Sequence, residues 1–446
     1  MSGFLLCDEV VWLPGVCAGN AKLLQIESVY LAESKRILLM MLGDTLRKNS
    51  CVIMEKMAFK VFLLLFTFCS MVACQPNKGI ENVVSDKRWP LTIAKVSELT
   101  LDIDQETSNA IYLAQFYPGD STDYLFLLNK YINGCNYFDL ESGRQLGRIS
   151  LPREGPGSVR ELSGFSVLNL DSILMVARGT ISRSVYTNLS GDHYPRYPFF
   201  EARSMGMDNP VAISAAPVVL EGHRVHYVRY PLQQSVQELT ANRQLFKWEC
   251  VYDTLAKTIQ ELPIHLPEVY QGKRLNAWFI MLSRVKGHAD YWVYNWPIKN
   301  NLFVRQGDSY SLHEKELAYP NAIKRVIPMA GASSQADIRQ VVENKSYIRL
   351  FYDPFRKLYY RFARLPITFD PAKHRDYYAF DYQPLELSVI DTAFQIVHVS
   401  QLPPETYNVF GCFVGPRGLY IPRNNVFNPE LTENELVYDV FAPQEK

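Results

Sequence analysis

The stretch Phe351-Tyr352-Asp353, with Tyr359-Tyr360-Arg361-Phe362 behind it and Ala363-Arg364-Leu365-Pro366 at its end, decides the fold. An apolar run ends in aspartate, a short turn follows, and a second run ends in proline. Aspartate suits the first turn position because its carboxylate accepts hydrogen bonds from backbone N–H groups just ahead of it. The unit reads as a β-hairpin. It recurs as Tyr137-Phe138-Asp139 leading to Ile149-Ser150-Leu151-Pro152, and as Val251-Tyr252-Asp253 leading to Ile264-His265-Leu266-Pro267. A further copy is Val389-Ile390-Asp391 leading to Ser400-Gln401-Leu402-Pro403, and Val437-Tyr438-Asp439 is a half copy whose second strand is missing.

The aspartates are separated by 114, 100, 38 and 48 residues. Degenerate copies fill the two long gaps: Ser184-Val185-Tyr186-Thr187 ahead of Tyr194-Pro195, and Leu302-Phe303-Val304-Arg305 ahead of Tyr319-Pro320. A strand-built period of roughly 40 to 60 residues is the mark of a β-propeller. A β-sandwich is the competing all-β architecture, since alternating strands and turns do not separate the two. Residues 89–446 make six blades of about 60 residues or seven of about 51. The 38-residue gap favours six, with the hairpins at Asp353 and Asp391 sharing one blade. The orphan strand Leu436 to Phe441 is then completed by the first strand, Val96 to Ile103, which closes the ring and hides both edges. Tyr124 to Leu128, Ile173 to Val176, Arg224 to Tyr230 and Tyr347 to Tyr352 also read as strands, and Gln335 to Glu343 as a helix.

Several of these features together resemble a family. They are the Arg153-Glu154-Gly155-Pro156-Gly157 loop before Leu162 to Leu170, the Asp353 hairpin, Gly418-Leu419-Tyr420-Ile421, and the leader described next. They look like uncharacterised six-bladed β-propeller lipoproteins of gut Bacteroidales, a family of unknown function. The resemblance implies a fold and an address and no activity. Relatives often carry another Gly before Glu-Gly-Pro-Gly and an acidic residue after it, where this chain has Arg153 and Ser158.

Ahead of the propeller, Glu55-Lys56 and Lys60 precede the apolar run Val61 to Phe68, and Cys69-Ser70-Met71-Val72-Ala73-Cys74 follows. A basic lead-in, a short apolar stretch and small residues at the cut define a secretory signal peptide, here 54–74; the run is shorter than the about 20 residues of a membrane span. Met71-Val72-Ala73-Cys74 is similar to a bacterial lipobox, departing from it at Met71 where Leu is commonest. That similarity implies cleavage before Cys74 and lipidation of its thiol; several acyl chains anchor stably because each buried CH₂ contributes about 0.8 kcal/mol. The rival reading is an uncleaved signal anchor. Residues 75–88 are a polar tether. Residues 1–53 are read as a mis-assigned N-terminal extension, because Met54 or Met57 makes a well-proportioned start; a cytoplasmic extension before an internal anchor is the alternative.

The chain has 446 residues, 48% hydrophobic and 13% aromatic, with 46 basic and 46 acidic side chains. Residues 1–74 hold seven basic and six acidic groups, which leaves the remainder near −1. Such a balance, without a basic run, argues against nucleic acid as a partner. Cys135, Cys250 and Cys412 are the cysteines after Cys74; three widely spaced thiols make no disulfide framework and no zinc site, and buried thiols are the default.

No Gly-x-Ser-x-Gly elbow or phosphate-binding loop occurs. His313-Glu314 begins a zinc-protease string that fails at Leu317. His223 and His226 lie on one strand with opposite facing, so they do not chelate one ion. Asp102, Asp104 and Glu106 begin like a calcium loop, but Thr107 stands where its glycine belongs and Leu113 where its closing glutamate belongs, so a solvated strand end is expected. No metal or cofactor is therefore expected. The strongest ligand candidate is Asp290 to Pro297 with Trp278: on a strand Trp292, Tyr294 and Trp296 share one face, suited to sugar rings or to packing between blades. The expectation is an exported, lipid-anchored propeller that binds or scaffolds at the bacterial envelope, most simply at the outer membrane, with a glycan, peptide or envelope protein as partner. The alternative is a polysaccharide lyase or glycoside hydrolase with its site at the propeller channel.

Overall fold

In the computed structural model the described residues are 91–155, 158–179, 183–192, 209–231, 234–320, 322–324, 326 and 333–445. All belong to one compact unit, Arg88–Lys446. The expected extension 1–53, the signal peptide 54–74 with Cys74, the tether 75–88, Pro156-Gly157 and Tyr194-Pro195 lie outside the described residues.

Strand β1 (Leu91–Asp102) opens the domain but joins the last sheet. The first sheet follows as β2 (Ala114–Tyr117), β3 (Tyr124–Asn129), β4 (Gly134–Asp139) and β5 (Gln145–Ser150), each paired with the next. The second is β6 (Leu162–Asn169), β7 (Ser172–Ala177) and β8 (Val185–Thr187). In the third, β9 (Pro210–Val211) and β10 (Val219–Glu221) both pair with β11 (Arg224–Arg229), and β12 (Glu249–Asp253) and β13 (Thr258–Leu262) follow. The fourth is β14 (Ser283–Lys286), β15 (Tyr291–Asn295), β16 (Leu302–Gln306) and β17 (His313–Lys315). The fifth is β18 (Ser346–Asp353), β19 (Leu358–Arg364), β20 (Leu385–Asp391) and β21 (Ile396–Gln401). The sixth is β22 (Phe413–Gly415), β23 (Gly418–Pro422), β24 (Glu435–Glu445) and, paired antiparallel to β24, the first strand β1. This is a six-bladed β-propeller closed by its N-terminal strand.

Side-chain alternation builds the ring. In β3, Leu125 and Leu127 pack with Leu99 and Tyr438 of the sixth blade, while Phe126 and Leu128 pack with Phe165 and Ile173 of the second. In β7, Ile173 and Met175 face the first blade and Leu174 and Val176 face Val225 and Tyr227 of the third. A sheet covered on both faces needs apolar residues at every position of its middle strands. Outer strands are covered less, and β13 keeps Thr258 and Gln260 exposed.

The turn aspartates act as expected. Asp253 Oδ1 accepts from the N–H groups of Leu255 (2.9 Å) and Ala256 (2.8 Å), Asp353 Oδ1 from Phe355 (2.9 Å) and Arg356 (3.0 Å), and Asp391 Oδ1 from Gln395 (2.8 Å). Asp139, Asp253 and Asp391 end third strands, and the degenerate copies at 184–187 and 302–305 fall on the third strands β8 and β16. Asp353 instead ends the first strand of the blade that also holds Asp391, which explains the short gap between them. Asp439 departs from the repeat. It sits inside β24 opposite Glu98, where Arg423 (2.7 Å) and Lys95 (2.7 Å) pair with it and Tyr407 donates to it (2.6 Å).

One helix lies within the third blade, between β11 and β12, and one joins the fourth blade to the fifth. The short α1 (Val236–Ala241), which the strand pattern hid, has a capping box of Ser235 and Glu238. The expected helix is α2 (Ser334–Val342), capped by Ser333.

Candidate functional site

Loops that join the second strand of a blade to its third, and loops that carry the chain to the next blade, lie at the same end of the sheets. At that end, Trp278 comes from the turn before β14, Tyr112 precedes β2 and Phe410 precedes β22. Arg349 comes from β18, and Tyr230 from the loop after β11. These five residues belong to five different blades. They meet: Tyr112 and Phe410 lie 6.3 Å apart, Trp278 and Phe410 6.4 Å, the Arg349 guanidinium stands 4.5 Å from the Phe410 ring, and Tyr230 lies within electrostatic reach of Arg349. Non-adjacent blades of a ring share only its centre, so this cluster marks the axial mouth.

The mouth has a floor. Ser214 Oγ accepts from the Ala114 N–H (3.2 Å), joining the third blade to the first across the axis. Ser283 Oγ accepts from the Leu350 N–H (3.0 Å) and donates to Ala215 C=O (3.0 Å), joining blades five, four and three. The innermost strand of the third blade is broken between β9 and β10, and that break supplies Ser214 and Ala215. Gly164 makes room for it: a Cβ there would lie 1.7 Å from the Ala212 oxygen.

Local sequence positions each group. Asn276 caps the turn Ala277–Ile280 by accepting from Trp278 N–H (2.9 Å), and its own N–H donates to Gln340 of α2 (2.7 Å). A bulge between Tyr347 and Arg349 leaves Ile348 without a partner on β19 and re-aims the inner strand. Arg349 Nη1 donates back to Ile348 C=O (2.9 Å). Arg364, at the end of β19, stands 5.4 Å from the Phe380 ring and 6.0 Å from that of Phe410. Lys130 stands 4.3 Å over Tyr112, and Arg153 Nη2 holds the turn beneath it through Lys130 C=O (2.7 Å).

The mouth is cationic. Burial pushes Arg349 down to about 10, with the Arg364 charge acting in the same direction, so it stays protonated at neutral pH. Burial also lowers Arg364, which the Asp381 charge opposes. Burial lowers Lys130 to about 8; the Glu161 charge opposes that shift and the Arg178 charge adds a smaller push in the same direction as burial. Burial raises Asp381. Beside the mouth, a concavity of about 340 Å³ runs between Tyr378, Tyr382 and Phe427; the last two rings stack at 3.9 Å. Among the described residues, no three histidine, cysteine or acidic side chains stand together as metal ligands.

Of the four aromatic candidates, only Trp278 stands here, half-buried. Trp292, Tyr294 and Trp296 do share one face, as strand alternation requires, but that face is turned toward the third blade and all three are fully buried. The Trp292 ring stacks on His226 (4.6 Å) and lies between the guanidiniums of Arg284 (4.6 Å) and Arg305 (5.1 Å). Glu249 from the third blade pairs with Arg284 (2.7 Å) and accepts from Tyr294 Oη (2.5 Å). This ladder rivets two blades together and presents no open face for a sugar. His223 lies in the turn just before β11, exposed and paired with Asp253 (3.2 Å), while His226 on β11 is buried, so the two imidazoles stand apart. Asp104 and Glu106 pair with Arg148 at the surface. The cysteines Cys135, Cys250 and Cys412 are free and buried.

Sequence reading missed Arg349, Arg364, Tyr112 and Phe410. The one trace of them is the bulge in β18, and a bulge is invisible until its partner strand is known.

A closed six-bladed ring with an aromatic, cationic mouth defines a propeller protein with one polarised end. Residues 91–398 match the family model described as Domain of unknown function (DUF4221), and the chain belongs to that family. A DUF4221 family member from Bacteroides vulgatus has a similar crystal structure, with TM-score 0.69, 22% identity, 81% of this chain covered and all of that one. A Bacteroides fragilis protein inferred to be exported is less similar, with TM-score 0.49, 12% identity, and 80% and 96% covered. No curated protein matches the chain.

Proposed function

We propose that this chain is an exported, lipid-anchored binding protein of the bacterial cell envelope, and that its ligand enters at the axial mouth. The observation that carries the reading is the meeting of Tyr112, Tyr230, Trp278, Arg349 and Phe410 from five blades above the floor made by Ser214 and Ser283. A concave, aromatic-walled pit with a few convergent polar groups is the usual form of a ligand site. The anchor rests on the Met71-Val72-Ala73-Cys74 stretch and the apolar run before it. Outer-membrane placement follows from the same reading.

Two measurements test it. Cys74→Ala should abolish lipid labelling and either release the protein from membranes or trap its precursor; unchanged labelling would overturn the anchor. Glycan and peptide arrays probed with the released Cys74→Ala chain should yield a ligand whose binding is lost in the added Trp278→Ala variant with its circular dichroism intact. A ligand indifferent to Trp278 would place binding elsewhere.

A further inference from the structure

The mouth is built of hydrogen-bond donors that lack acceptors. Arg349 is 7% exposed and its one hydrogen bond among the described residues goes to the adjacent backbone oxygen of Ile348. Arg364 is 5% exposed, and no carboxylate lies within ion-pair distance of either guanidinium among the described residues. Trp278 Nε1 is buried with no acceptor. All three groups surround the rings of Phe380 and Phe410. Elsewhere in this fold, buried arginines are neutralised or saturated. Arg284 has Glu249, and Arg361 donates to Asn295, Tyr319 and the backbone oxygens of Lys299 and Asn300.

A buried cation without an ion-paired carboxylate is costly, and two side by side are more so, because their mutual repulsion adds to the lost hydration; the Asp381 charge reaches Arg364 and offsets part of the cost there, while Arg349 has no such partner. Cation–π contact with Phe410 and Phe380 offsets part of that cost and supplies no acceptor. A site that keeps such a pair is poised for an anion, and planar guanidinium groups match carboxylate, sulfate and phosphate oxygens in geometry. We propose that the mouth binds an oxyanion carried on a ring with a flat apolar face. Arg349 and Arg364 hold the charged oxygens, the Trp278 N–H donates to one of them, and the half-buried rings of Tyr112 and Phe410 pack against the apolar face. The chemical class this fits is an acidic carbohydrate, a uronate or a sulfated sugar. The inference rests on the binding reading above and names its ligand class.

The test is thermal unfolding and calorimetry of the full chain with glucuronate, glucose 6-sulfate, glucose, and inorganic sulfate as probes, on wild type, Arg349→Met and Arg364→Met. The wild type should bind the acidic sugars saturably and melt at higher temperature in their presence, and each arginine variant should weaken that binding at least tenfold. Because it removes an unpaired buried charge, Arg349→Met should melt at or above the wild-type temperature without ligand, whereas Arg364→Met also takes away the charge that faces Asp381 and is read on binding alone. Lower melting of unliganded Arg349→Met would make that arginine structural and overturn the proposal. Equal response of wild type and variants would reduce the effect to ionic strength and overturn it too. A stronger response to inorganic sulfate than to either sugar would limit the site to a free anion. Glucose binding as well as the acidic sugars, dependent on Trp278, would overturn the anion inference and leave the binding reading standing; failure of every array ligand as well would remove both.

Discussion

Leu101, in the first strand of the domain, stands directly opposite Leu436 in the last, and both side chains are buried against the first blade. The two residues are far apart in sequence, so their pairing closes the whole ring. Leu101→Ala should cost about 2–5 kcal/mol, the range for a buried leucine truncation. Chemical denaturation measures it, and the loss should fall on the global transition, since opening the closure exposes both edge strands at once. A cost below about 0.5 kcal/mol, the range of inert surface changes, would mean that the ring holds without this contact.

Glu249 gives the fold an acid limit. Burial opposes its ionisation, but Arg284, His226, Arg305 and Tyr294 outweigh that and bring it to about 2. An unfolded glutamate titrates near 4.3, so the folded state binds its proton later than the unfolded state. The stabilisation is complete above about pH 4.3, where both states are ionised, and is lost as pH falls toward about 2; its size is on the order of 3 kcal/mol. Glu249→Gln should destabilise the protein by about 3–5 kcal/mol at neutral pH, because Arg284 loses its counter-charge. The variant should also flatten the acid limb of a stability–pH curve; an unchanged limb would assign acid unfolding to other carboxylates.

The tryptophans should separate by role. Trp292→Ala should destabilise by about 3–5 kcal/mol, since it empties a fully enclosed site between two arginines and a histidine. Trp278→Ala removes a half-buried ring and should cost about 1–2 kcal/mol. Melting curves of the two variants side by side check this, and equal losses would contradict the difference in burial.

Gly164 has the same position in the fold as any inner-strand residue, yet it has no room for a methyl group. Gly164→Ala should cost about 1–3 kcal/mol by pushing the Ala212 backbone, and with it Ser214, off the floor of the mouth. Amide exchange at Ala114, whose N–H donates to Ser214, reports the shift; slow exchange in the variant would show that the floor survives.

The thiols of Cys135 and Cys412 should resist alkylation in the folded protein. Burial pushes Cys135 up to about 12 and raises Cys412 as well, so little reactive thiolate exists at neutral pH. Mass spectrometry after a short alkylation should find both unmodified until denaturant is added. Rapid native labelling would mean that the blades open locally.

Much of the architecture is local in origin and was readable residue by residue. The aspartates at 139, 253, 353 and 391 announce hairpins because one carboxylate satisfies the turn ahead of it. The spacing of those hairpins favours six blades, with two hairpins sharing the fifth, and the unpaired run 436–441 calls for the strand near residue 100 that completes it. Strand alternation also placed Trp292, Tyr294 and Trp296 on one face. Alternation says which side chains point together and carries no information about what covers them; the third blade, brought alongside by ring closure, turned that face into core. The axial mouth is the opposite case. Tyr112, Trp278, Arg349, Arg364 and Phe410 span some 300 residues of sequence, and no common spacing links them. They become neighbours because a closed ring directs every blade's inner strand and entry loop to one axis, so the site exists only once all six blades are in place.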